Sequence, residues 1–168
     1  MRVICASSEE EAAETFVRAE LQSPRFRDEV LAGTRGWRIG GLFDGLPTDL
    51  DWLRVALSPD DALDIRYIHW HWWLKLSGAT RSPREAAARI RAGLVPGADP
   101  EAHRPIAARL RSDDPPPELI AVARPGDSMV LLEGHVRLTA YALWPEYLPD
   151  DLEILLGLSA NAAAWGCY

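Results

Sequence analysis

One stretch, residues 119–142, narrows the choice of fold more than any other. Leu119-Ile120-Ala121-Val122-Ala123 is a short apolar run of the length a buried strand uses. Pro125-Gly126-Asp127-Ser128 comes next with turn chemistry, Pro presetting φ and Gly allowing φ above zero. Met129-Val130-Leu131-Leu132 is a second apolar run, ended by Glu133-Gly134-His135-Val136-Arg137. Val136, Ala140 and Leu143 then recur at helical spacing, which predicts a helix starting at or just after Gly134. A strand running through glycine into a helix leaves several backbone N–H groups unpaired at one point. Those groups, the helix dipole and an arginine in the first turn together suit an anion, phosphate above all.

The rest of the chain predicts a mixed sheet packed with helices in a single α/β (α+β) domain. A length of 168 residues supports one core without disulfide or metal staples, and 48% hydrophobic with 26% charged residues is ordinary for a globular chain. Residues 2–6 predict a short strand, and Ser7 or Ser8 caps a helix over 9–21 carrying Phe16, Val17 and Leu21 on one side. Residues 22–50 are rich in Gly and Pro. The reading for 1–45 is an N-terminal extension packed on a domain spanning 46–168. Residues 52–57 predict a strand. Ser58-Pro59-Asp60-Asp61 then opens a helix expected to run to Leu76, stopped by Gly78. Ser82-Pro83-Arg84-Glu85 is a capping box, Asp99-Pro100 starts a further helix, and Pro115-Pro116-Pro117 forces an extended approach to residue 119. Residues 152–157 predict the last strand, and 159–168 a final turn of helix.

Charge bears on partners. The formal net charge of −7 disfavours nucleic acid, because nonspecific DNA binding needs a cationic surface. The arginines over 81–91 and 104–111 fall on predicted helices beside Glu85 and Glu101 and suit a solvated face. No apolar run approaches the ~18 residues of a membrane span. The acidic residues Glu9, Glu10 and Glu11 do not fit a signal peptide, so the expectation is a cytoplasmic protein. Cys5 and Cys167 have neither metal nor redox spacing and read as free thiols.

Other constellations carry less. His69 and His71, two apart on the expected helix, point to different faces and cannot chelate as i, i+4 histidines do, so no metal site is predicted. Trp70, Trp72 and Trp73 read as core more readily than as a base-stacking platform. Thr80 and Arg81, in the loop between two capped helices, are candidate substrate-binding groups for a carboxylate or phosphate, beside the plainer reading of a connection. No Gly-x-Ser-x-Gly elbow, Walker loop, His-Glu-x-x-His or dinucleotide fingerprint is present.

Leu131-Leu132-Glu133-Gly134-His135-Val136-Arg137-Leu138-Thr139-Ala140 resembles the ParB/sulfiredoxin superfamily, in which a strand ends in an acid and Gly-His-x-Arg-Leu-x-Ala opens a helix. The layout of residues 50–157 fits the same plan. The resemblance implies nucleotide phosphates held at Gly134, His135, Val136, Arg137 and Thr139. ATP, ADP or CTP with Mg²⁺ is the implied cofactor, Glu133 and His135 are the catalytic candidates, and a small molecule is the substrate. Sulfiredoxins carry a reactive Cys where His135 stands. Partition proteins carry consecutive arginines where Val136-Arg137 stands. The branch that phosphorylates free serine, with Gly-His-His-Arg, differs here only at Val136. The expectation is therefore a small-molecule kinase or nucleotide hydrolase. Such a kinase needs an acid from elsewhere in the chain to deprotonate the acceptor, and Asp61 and Asp64 are candidates for it. The alternatives are a noncatalytic regulatory or protein-interaction module, with a homodimer as one form of it, and thirdly a DNA-binding or nuclease protein.

Overall fold

A computed structural model describes residues 1–168. Five strands form one mixed sheet: β1 (Arg2–Ala6), β2 (Asp51–Leu57), β3 (Leu119–Ala123), β4 (Val130–Glu133) and β5 (Leu152–Leu158). Their spatial order is β1-β2-β5-β3-β4. Only β3 and β5 run parallel, in register from Leu119 opposite Ile154 to Ala123 opposite Leu158. The other neighbours are antiparallel.

Both faces of the sheet are covered, so β3 is apolar and buried at every position instead of alternating. Leu119, Ala121, Leu131, Ile154, Leu156, Val55 and Leu57 face one way. They meet α5 (Pro83–Arg91), α6 (Pro100–Ala108) and α7 (His135–Leu143). Ile120, Val122, Val130, Leu132, Leu155 and Trp52 face the other way, against Ala12 and Phe16 of α1 (Glu9–Gln22), Phe43, Leu46 and Trp165. Phe16, Trp37, Phe43 and Trp52 meet edge to face there, with ring centroids 5.2–5.9 Å apart. A short α2 (Arg27–Leu31) comes after α1.

The expected caps form. Ser8, Ser58, Ser82 and Asp99 each accept a backbone N–H in the first turn of the next helix. Residues 1–45 pack on the sheet: β1 hydrogen-bonds along β2, and Ala12, Phe16 and Phe43 are core. One expectation does not hold: 59–76 is not one helix. It divides into α3 (Pro59–Leu63) and α4 (His71–Leu76), with an extended segment between them. Arg66 bridges to Val130, donating its N–H to the Met129 carbonyl and accepting from Leu131 N–H, both at 2.8 Å. The free edge of β4 thus takes backbone bonds from residues that would otherwise be helical, and the Ile65-Arg66-Tyr67-Ile68 run, with branched and aromatic side chains, suits extended backbone.

Candidate functional site

The corner between β4 and α7 forms where the sequence predicts it. Gly134 sits at the helix N-cap with φ +104°, a left-handed backbone that disfavours a side chain. A Cβ there would overlap Cδ2 of Leu119 and lie 3.2 Å from Nη2 of Arg137. Gly134 is therefore required twice, by its torsion and by the close approach of β3. The first intrahelical bond of α7 runs from Leu138 N–H to the Gly134 carbonyl at 2.8 Å. The N–H groups of His135, Val136 and Arg137 consequently precede the intrahelical ladder, and no side chain of Gly134 exists to cap them. Val136 is half exposed at this mouth.

Arg137 turns inward. Its Nη1 donates to the carbonyls of Pro117 and Glu118, and its Nη2 donates to Oε1 of Glu133 at 3.0 Å. Both partners of this i, i+4 ion pair are largely buried, the side chains 12% and 18% exposed. Burial pushes the Glu133 carboxyl up, while the Arg137 charge pulls it back toward the carboxylate. The extended 115–117 run explains the carbonyls. Prolines offer acceptors without donors, so a guanidinium with five N–H groups is a fitting partner. The carboxylate of Glu118 turns to the other side, onto Arg18 at 2.8 Å and Arg54 at 2.9 Å.

His135 and Thr139 lie behind the mouth. His135 is 8% exposed, its ring stacked 4.7 Å from Trp73 and 6.0 Å from Tyr67. Its Nε2 is buried without a hydrogen-bond partner. Burial pushes the imidazole down to about 3, and the nearby Arg137 charge works in the same direction. The ring is therefore neutral at pH 7. Thr139 donates its hydroxyl proton to the His135 carbonyl at 2.8 Å, so the Tyr67 hydroxyl, 2.7 Å away, must donate to Thr139. Thr139 thus ties Tyr67 to α7 and does not reach the mouth.

The remaining candidates lie in other contacts. Thr80 donates to the Ser77 carbonyl and accepts from Ser82 N–H. Arg81, at φ +64°, donates from Nε to the Tyr67 carbonyl at 2.7 Å and from Nη1 to the Tyr168 carbonyl at 3.2 Å. These hydrogen bonds brace the loop between α4 and α5. Asp61 binds Ser58 and the Met1 amino group, and Asp64 faces Arg84. His69 and His71 are exposed, and no group of three or more His, Cys, Asp or Glu side chains stands at metal-binding distance. Tyr67, Trp73 and the Pro117 carbonyl shape the corner yet carry no motif. The aromatic run that includes Trp73 and the proline run were the only sequence signals for them.

No family model, curated protein or solved structure matches the chain. No comparison supports the likeness to the ParB/sulfiredoxin superfamily, which rests on the sequence motif over 131–140 alone. The fold defines a class: a mixed α/β domain with a strand–glycine–helix corner, and no helix long and apolar enough to cross a membrane.

Proposed function

We propose that this chain is a nucleotide-binding protein that takes its ligand by the phosphates at the start of α7. The observation that carries the reading is the glycine corner. Gly134 is held left-handed against Leu119, and the three N–H groups after it have no acceptor within the helix. Such a helix start attracts anions through its donors and its dipole. Mg²⁺ would arrive with the nucleotide, since it needs only one or two protein carboxylates beside the phosphates, and Glu133 is the carboxylate at this corner.

The arrangement supports binding more directly than turnover. Glu133 is paired with Arg137, and His135 is neutral and enclosed by Trp73 and Tyr67, so neither is presented as a base to an acceptor. This favours the noncatalytic form of the reading over the kinase or hydrolase form.

Val136→Asp tests it. The position is exposed at the second residue of α7, where an acid suits the helix dipole and leaves stability unchanged or slightly raised. The new carboxylate would occupy the donors meant for phosphate. The wild-type protein should be stabilised against heat by ATP, ADP or CTP with Mg²⁺, and the variant should not respond. A wild-type melting temperature indifferent to the whole nucleotide panel refutes the proposal.

A further inference from the structure

A cavity of about 400 Å³ lies between the end of α1, the 114–118 lead into β3, the middle of α7 and the start of β5. None of residues 133–137 lines it, so what it binds is independent of phosphate at the start of α7. Tyr141 borders this cavity while only 1% exposed, which places it at the buried end. It follows Arg137 by one turn of α7, so both residues lie on the helix face that meets the proline run. That run explains why the Tyr141 hydroxyl has no partner in the protein. Prolines have no N–H to give it, and the Pro117 and Glu118 carbonyls are held by Arg137. Two other polar atoms without partners, Trp52 Nε1 and His135 Nε2, are sealed in the core. The Tyr141 hydroxyl is unpaired but not sealed, and opens into the cavity. A buried hydroxyl is costly to leave unpaired, and one facing a cavity is a point of recognition for what enters.

We propose that this cavity binds a small uncharged aromatic molecule bearing a carbonyl, with the Tyr141 hydroxyl donating to the carbonyl oxygen. Burial pushes that hydroxyl up to about 12 against the pull of the Arg137 and Arg109 charges, so at pH 7 it keeps its proton and is a donor. Leu110, Leu119, Leu152 and Pro149, with the 115–117 run, make walls that are apolar, and proline rings suit an aromatic face. The charged groups around the cavity are already matched. Asp114 holds Arg109 at 2.9 Å, Glu118 holds Arg18 at 2.8 Å and Arg54 at 2.9 Å, and Glu153 lies 3.6 Å from Arg54. Arg18, the one cation in the wall, is the partner of Glu118. A ligand with net charge would lose hydration on entry and meet no unpaired opposite charge, which selects a neutral one.

Titration of the full chain with acetophenone, followed in ¹H–¹⁵N NMR spectra, is the test. The amide signals of Leu119, Tyr141 and Leu152 should move and saturate. Tyr141→Phe keeps the ring and removes only the unpaired hydroxyl, and should bind acetophenone about threefold to tenfold more weakly than wild type. Ethylbenzene, the same body without the carbonyl, should bind both proteins equally. Benzoate, with a charge on the same ring, should bind wild type more weakly than acetophenone does. The proposal is overturned by unmoved lining amides in wild type, or by equal acetophenone affinity in the two proteins. It is overturned as well by a loss that ethylbenzene shares, or by benzoate binding at least as tightly as acetophenone. Should Tyr141→Phe fail to fold, nuclear Overhauser contacts between the acetophenone methyl and the Tyr141 ring in the wild-type protein give the answer. Their absence in the saturated protein overturns the assignment.

Discussion

Replacing His135 by phenylalanine isolates the energetics of the corner. The imidazole is enclosed by Trp73 and Tyr67, with Nε2 lacking a partner, and burial holds it near about 3. In the unfolded chain a histidine titrates near 6.5. The folded value is the lower one, so the unfolded state takes up the proton first. The stability linked to this group is complete above about pH 6.5 and is lost as pH falls toward about 3. Between pH 7 and pH 5 the loss works out at about 2 kcal/mol. Phenylalanine keeps the stacking and has nothing to protonate. At pH 7 it relieves an unpaired polar atom, worth about 1–3 kcal/mol, and adds volume at a similar cost, so the two roughly cancel. The assay is urea unfolding of both proteins at pH 7 and pH 5, compared as a difference so that titrations common to both drop out. Wild type should lose about 2 kcal/mol more than His135→Phe on acidification. Parallel losses in the two proteins would mean that the ring is not held neutral, and the account of the aromatic enclosure fails.

Two further substitutions test the architecture. Gly134→Ala meets both the left-handed torsion and the Leu119 side chain, and should destabilise by roughly 2 kcal/mol or more in denaturant titration; a change under about 0.5 kcal/mol would show that the corner can relax. Phe16→Ala opens the core between α1 and the sheet and should cost about 3–5 kcal/mol, with one cooperative transition retained. A far smaller loss, or a separate early transition, would show that residues 1–45 lie outside the cooperative core.

The local pieces of this fold were legible one at a time. Ser8, Ser58, Ser82 and Asp99 announce helix starts because a short polar side chain and the unpaired N–H groups meet within one turn. The doubly covered strands announce themselves as unbroken apolar runs, and Gly134 as a break between period-free and helical patterning. Residues 65–70 misled because their apolar spacing also fits a helix. What decided against one was the edge of β4, a row of backbone groups needing partners, and no local pattern reveals it.

The sequence by itself determined the strand–turn–strand–glycine–helix unit, since each of its steps rests on contacts within a few residues. Only the tertiary structure decided what the unit's charged groups do. Arg137 is drawn inward because an extended proline run from elsewhere in the chain places bare carbonyls beside it, and Glu133 completes its pairing. His135 is neutral because Trp73 of α4 and Tyr67 of the preceding extended segment close over it and exclude water. Side-chain identity fixes which groups can be charged. Neighbours brought from distant positions fix whether they are charged and which way they face.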